Sequence, residues 1–381
     1  MYIGFDAKRA FHNSTGIGNY SRTLIHSLST FYPDEKFVLF NPKPGKEFTV
    51  SGENMQEINP SGFLSTLFPS VWRSRWMVKD IERYTDIYHG LSNELPFGIH
   101  RSKVKKVVTI HDLIFEHYPE QYNKNDVLIY SKKFRYACEH ADRIIAISES
   151  TKNDLVELYA IPEEKITVCY QSCDERFFTR SPENYKEIIR KKYKMTRPFI
   201  LSVGSIIERK NLLRLCQAFE LLQKETDLDL VIIGKGNGAY KKEVLAFIES
   251  HHLSERCKFL EDKYDGNEIH NDLPVIYQLS EALAYPSLME GFGIPVLEAM
   301  ASGIPVVTSD ISSLPEVGGD AALCINSNDS VEIYKALKRF LEDEPFKKEQ
   351  LQKGIQRAQL FNNKNTCKQI MNIYKELNAP S

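Results

Sequence analysis

The sequence predicts an α/β protein made of two doubly wound halves, and three observations carry that prediction. At 381 residues the chain exceeds one ordinary domain and suits two, each large enough to bury a core. Short β-rich runs alternate with amphipathic stretches almost throughout, the pattern of parallel strands joined by crossover helices. The alternation then lapses once, in the charged run DERFFTRSPENYKEIIRKKYKMTR, before a fresh strand starts in PFILSVG. The expected division is a first domain at 1–175, a linker at 176–196 and a second domain at 197–364. A helix over about 365–381 closes the chain and can pack back on the first domain.

In the first half the predicted strands are YIGF, KFVLF, DIYH, KKVVTI and RIIAIS, each a β-branched or aromatic run bounded by turn residues. Helices are expected near 19–31, 71–84, 125–140 and 150–159. In the second half the strands are FILSV, LDLVIIG, CKFL, ALAYPS, PVVT and ALCI, with helices between them. Ligands of such sheets collect at the carboxyl ends of strands, so two facing sheets imply an interdomain cleft.

Composition narrows the function. A hydrophobic fraction of 42%, a charged fraction of 26% and a net charge of −2 are ordinary for a soluble protein and give no basic field for nucleic acid. The seven cysteines are scattered without a CxxC pair, as in reduced cytosolic thiols. The amino terminus has no apolar signal core and no run approaches the ~20 apolar residues of a membrane span, so a cytoplasmic location is expected. The histidines are dispersed, and no metal site is expected.

The densest chemistry lies in PSLMEGFGIPVLEAMASGIPVV, residues 286–307. Gly291 and Gly293 permit a turn after a strand, Pro295 fits the first helical position, and a helix over 294–302 is predicted. That helix points free amides toward Glu290, while Glu298 sits about one turn inside it. Two carboxylates at this separation would grip different parts of one hydroxyl-rich ligand; the plainer alternative gives both only capping roles. In GSIIERKN, Gly204 to Asn211, the pair Arg209 and Lys210 precedes a helix and suits a diphosphate, or is simply a solvated pair. Lys235 in VIIGKGNG faces the same anion or a tight turn. Gly16 and Gly18 resemble a phosphate-approach loop before the helix at 19, although Ser21 stands where a dinucleotide fold needs glycine. His111 at the end of KKVVTI can bond a sugar hydroxyl or move a proton, with a structural His–Asp turn through Asp112 as the alternative. Residues 61–83 mix Phe63, Phe68, Trp72 and Trp76 with Arg73, Arg75 and Lys79, which suits peripheral membrane contact or a buried helix.

Taken together, GSIIERKN, VIIGKG and PSLMEGFGIPVLEAMASGIPVV resemble the retaining glycosyltransferases of family 4, which have the GT-B fold of two Rossmann-like domains. DAKRAFHNSTGIGNYSRTLIHSL, VVTIHDLIF and SSLPEVGGDAAL extend the resemblance to the branch containing bacterial mannosyltransferases of polysaccharide and O-antigen synthesis. The resemblance implies that Arg209 and Lys210 hold the donor diphosphate, with Gly204 in the same loop and Gly16 and Gly18 approaching from the other domain. It implies Glu298 on the nucleotide ribose, Glu290 and His111 by the donor sugar, and amides of Phe292 and Gly293, beside Gly291, on sugar hydroxyls. The expected reaction is metal-independent transfer from a nucleotide sugar, GDP-mannose first, to a glycan or lipid-linked acceptor, with no cofactor. A UDP-sugar donor, a nucleotide-sugar epimerase or hydrolase, and a non-catalytic nucleotide-sugar-binding subunit are the competing expectations.

Overall fold

A computed structural model of the chain describes residues 1–379, which form two compact units: residues 1–172 with the segment from Asn362 onward, and Cys173–Phe361.

The first unit is built on seven parallel strands: β1 (Tyr2–Asp6), β2 (Lys36–Phe40), β3 (Met55–Ile58), β4 (Ile87–Gly90), β5 (Lys105–Ile110), β6 (Arg143–Ala146) and β7 (Ile166–Val168). Their spatial order is β3-β2-β1-β4-β5-β6-β7. The chain therefore winds one way from β1 and the other way from β4, and a crevice opens at the carboxyl ends where the winding reverses. Both faces are covered, which explains the nearly unbroken apolar runs. In β2, Phe37 and Leu39 join one core with Ile3, Phe5 and Leu28, while Val38 and Phe40 join the other with Trp72, Tyr88 and Val108.

Three features depart from expectation. β3 and β7 go unpredicted because their short runs, MQEI and ITV, are interrupted by polar residues. The helix expected at 19 begins at Gly16 and runs Gly16–Phe31. The helix expected over 71–84 is broken into Pro69–Val71, a π turn Trp72–Trp76 and Val78–Tyr84. The π turn buries the adjacent residues Trp72 and Arg73 together, with Trp72 Nε1 donating to Asp80 at 2.8 Å.

The C-terminal helix Asn363–Asn378 packs on Gly16–Phe31 within the first unit. Thr366 Oγ1 donates to the Tyr170 carbonyl at 2.9 Å, and the Tyr374 hydroxyl lies 2.6 Å from His89 Nδ1. Of the range expected for this helix, residues 380 and 381 lie outside the described residues.

The second unit holds six parallel strands: β8 (Phe199–Val203), β9 (Asp229–Ile233), β10 (Cys257–Phe259), β11 (Ala282–Tyr285), β12 (Val306–Ser309) and β13 (Ala322–Ile325), ordered β10-β9-β8-β11-β12-β13. Here the winding reverses between β8 and β11. Residues 176–196, expected as a linker, are instead part of this unit. The helix Glu183–Lys192 buries Ile189, and Tyr185 OH, Lys192 Nζ and Tyr193 OH all converge on the buried carboxylate of Asp272 in the helix Gly266–Leu279. The charged sequence hides this packing because only a narrow stripe of the helix faces inward. Among the described residues no helix is long and apolar enough to cross a membrane.

Candidate active site

The turn after β8 and the turn after β11 meet at the reversal point of the second sheet. Asn211, at φ +59°, ends the first turn and caps the helix Leu212–Leu222. Its side-chain amide donates to the carbonyls of Pro286 (3.2 Å) and Ser327 (2.7 Å), and the Leu288 amide donates back to the Arg209 carbonyl at 2.8 Å. The guanidinium of Arg209 also donates to the Met289 carbonyl. The turn after β9 is pressed against the first: a Cβ on Gly234 would lie 1.8 Å from the Gly204 carbonyl oxygen. Gly234 is therefore required by backbone approach, whatever the ligand.

Within this frame four donors converge on one oxygen, Glu290 Oε1. Lys210 Nζ and Ser287 Oγ lie at 2.5 Å, Tyr285 OH at 2.9 Å and Arg209 Nη1 at 3.1 Å. Lys210 also donates to the Tyr285 hydroxyl at 2.6 Å, and that hydroxyl donates its own hydrogen bond to Glu290. Burial pushes the Glu290 carboxyl up, but the charges of Lys210 and Arg209 outweigh it and hold the group below its usual range. Two cations thus share one carboxylate oxygen at the end of the sheet.

Glu298 has a different environment. It lies inside the helix Ile294–Ala301, partly buried, and accepts from Tyr277 OH at 2.9 Å. Burial raises its carboxyl to about 7; the Tyr277 hydrogen bond works against that rise and the charge of Asp174 adds to it. Gly293, at φ +106°, turns the chain into this helix, and a Cβ there would meet Leu314 at 2.7 Å. Phe292 is buried edge-to-face on Phe361, and Ser313 Oγ donates to its carbonyl at 2.8 Å. Gly291 lies between Glu290 and this anchored residue.

Other expected residues stand apart. Lys235 is largely exposed, with Nζ 3.8 Å from Glu261 and no contact with the Glu290 cluster among the described residues. Gly16 and Gly18 belong to the first unit and lie in the first helical turn rather than in a loop before it. The Gly18 amide donates to Asn13 Oδ1 at 3.1 Å, and a Cβ there would lie 1.8 Å from the Asn13 carbonyl oxygen, so close packing accounts for this glycine. His111, also in the first unit, is buried with both ring nitrogens engaged. Nε2–H donates to the Leu91 carbonyl at 2.9 Å, which leaves Nδ1 to accept from the Gln171 amide at 3.1 Å. Burial lowers its pKa to about 4, so the ring is neutral near pH 7, and Asp112 caps the following turn at Ile114.

Sequence reasoning missed Tyr285, Ser287 and Tyr277. Tyr285 and Ser287 stand two residues apart across Pro286 at the end of β11, a spacing that aims both the same way. A second polar cluster, also missed, fills the reversal point of the first sheet. Arg73 forks onto Asp6 with Nη2 at 2.5 Å from Oδ2 and Nε at 3.1 Å from Oδ1, and its Nη1 reaches Glu94 at 3.1 Å. Lys133 Nζ meets the same Glu94 oxygen at 3.2 Å.

Comparison with known proteins agrees with this geometry. Residues 18–177 match the model of glycosyltransferase family 4, and residues 184–359 match that of glycosyl transferases group 1. Over 99% of the chain and 100% of the relative, the sequence is 30% identical to O-antigen chain mannosyltransferase B of Escherichia coli. The chain belongs to the family 4 glycosyltransferases. It is also 29% identical to the O-antigen chain mannosyltransferase RfbU of Salmonella typhimurium, over 68% of this chain and 64% of that one. The crystal structure of Anabaena HepE in complex with UDP-glucose superposes with a TM-score of 0.75 at 18% identity, covering 98% of this chain and 99% of that one. The two units are thus the two Rossmann-like domains of a GT-B glycosyltransferase.

Proposed function

We propose that this glycosyltransferase moves mannose from GDP-mannose, with retention at the anomeric carbon, to a glycan or lipid-linked glycan in cell-surface polysaccharide synthesis. The observation that carries the proposal is the convergence of Arg209 and Lys210 on a single oxygen of Glu290 at a sheet reversal point. Polysaccharide synthesis and mannose rest on two O-antigen mannosyltransferases, one similar over 99% of the chain and the other over 68%.

In this proposal the donor diphosphate takes over the two cations, and Glu290 is released to accept a hydroxyl of the transferred sugar. As the glycosidic bond breaks, Arg209 and Lys210 neutralise the charge gathering on the departing phosphate, so no metal is required there. Glu298 accepts the ribose hydroxyls, and the turn Gly291–Gly293 presents amides to the sugar. The acceptor hydroxyl attacks from the face the phosphate leaves, and the leaving phosphate oxygen takes its proton. His111 is given no proton transfer, because its neutral ring already spends both nitrogens. The enzyme works on the cytoplasmic side of the membrane, where nucleotide sugars are made.

Thermal-shift measurements with GDP and UDP test the donor, with stabilisation by GDP expected; stabilisation by UDP alone overturns it. Product from GDP-mannose and a lipid-linked acceptor is expected to carry an α linkage, and a β linkage by NMR rejects retention. Turnover is expected to survive excess chelator, and its complete loss rejects the metal-free leaving group.

A further inference from the structure

The helix Phe63–Leu67 has no buried residue, although it is mostly apolar. Phe63 is 82% exposed, Leu64 60% and Leu67 57%, and Phe68, Val71 and Trp76 continue the exposed surface. Its base is fixed: Trp72 is buried and bonded to Asp80, and Arg73 is held by Asp6 and Glu94. The apolar side chains are therefore held out from a rigid footing. An exposed patch of this composition marks a binding surface.

Charge points to the occupant. Residues 61–79 carry Arg73, Arg75 and Lys79 and no carboxylate, within a chain of net charge −2. Arg73 is used internally, which leaves Arg75 and Lys79 exposed beside Trp76. Apolar and aromatic side chains next to exposed cations match the boundary between acyl chains and anionic headgroups. On the helix Lys124–His140, Leu128 and Ile129 are also exposed. Ile129 stands one turn before Lys133, which lines a concavity with Ser74, Pro96, Phe97, Glu94 and Arg73. Apolar groups thus flank a polar hollow at the reversal point of the first sheet.

We propose that the Phe63–Trp76 surface docks the first unit on an anionic lipid bilayer. Phe63, Leu64, Leu67 and Phe68 enter the acyl boundary, and Arg75 and Lys79 meet the headgroups. A lipid-linked acceptor would then be met at the bilayer surface while its tail stays in the bilayer; only this last step rests on the proposed function.

The test is co-sedimentation of the full chain with vesicles of equimolar phosphatidylcholine and phosphatidylglycerol, without donor or acceptor. The protein is expected to pellet, and the emission of Trp76 to shift to the blue while buried Trp72 stays unchanged; these are the chain's two tryptophans. Phe63→Ser with Leu67→Ser is expected to lower binding about tenfold or more. Arg75→Ser with Lys79→Ser is expected to erase the preference over pure phosphatidylcholine vesicles. All four side chains are exposed, so melting temperature and stabilisation by GDP are expected to be unaltered, which separates this proposal from the donor assignment. Wild-type protein that stays in the supernatant, or a Phe63→Ser/Leu67→Ser variant that pellets equally, overturns it. So does a concentration-dependent dimer that binds no vesicles and dissociates in that variant, since a second copy then covers the patch.

Discussion

The two sheets place carboxylate–cation clusters at equivalent points, the carboxyl ends of strands where the winding reverses, yet the clusters are built differently. In the first unit Asp6 and Glu94 face Arg73 and Lys133, with the charge of Lys8 also acting on both carboxylates, and Arg73 is locked in a fork and buried. In the second, Arg209 and Lys210 converge on one oxygen of Glu290. The buried fork keeps Arg73 on Asp6 and serves as a fixed wall. In the proposed function the second cluster is exchangeable, with Glu290 holding both cations as a stand-in until the donor diphosphate takes them over.

Breaking the first cluster should cost the fold most. Arg73→Ala strands the buried Asp6 carboxylate and is expected to lower stability by about 3–5 kcal/mol, read by denaturant unfolding. Arg209→Ala should do the reverse: turnover with GDP-mannose falls ~10²–10³-fold while the melting temperature changes little, since Lys210 still pairs with Glu290. Equal damage to stability from both would erase the distinction. Glu290→Gln removes the stand-in anion, so GDP should bind about tenfold tighter by calorimetry although turnover drops. Weaker GDP binding in that variant would mean that Glu290 supports the diphosphate rather than competing with it.

Glu298 sharpens the contrast through pH. Its carboxyl is raised from an ordinary 4.5 to about 7, so between those values the unfolded chain has released a proton that the folded chain retains. Stability is therefore expected to fall as pH rises from about 4.5 to 7 and then to level off, and Glu298→Gln should remove that slope from the denaturation midpoints. Glu290 has the opposite sign, because its lowered pKa gives stability above its ordinary 4.5 that is lost in acid as pH falls through the depressed value. The smallest effect is expected for Lys235→Ala, less than about twofold in KM, because its amine is exposed and only loosely opposed by Glu261.

The sequence revealed the second cluster far better than the first, for a physical reason. Arg209, Lys210 and Glu290 stand in glycine-marked turns at strand ends, where charge is conspicuous. Asp6 and Arg73 are 67 residues apart, joined by a π turn that no hydrophobic period predicts. Tyr285 and Ser287 were passed over because a hydroxyl after a strand looks like any turn residue until the carboxylate it serves is known. Central strands were legible from runs of Val, Ile and Phe, whereas β3 and β7, interrupted by polar residues, were not. The helix Glu183–Lys192 was obscured because its charges face water while Ile189 alone is fully buried.

The C-terminal helix Asn363–Asn378 sets an order of events for the chain as it is made. Ile370, Met371, Ile373 and Tyr374 complete the core that β1 and the helix Gly16–Phe31 begin. The second unit draws on one continuous stretch and can finish as soon as that stretch leaves the ribosome. The strands of the first unit emerge ahead of the second unit, yet their core stays incomplete until the helix Asn363–Asn378 is released, so residues made early are secured late. A nascent chain halted before Asn362 would carry a finished second unit beside a first unit with one side of its core still open to water.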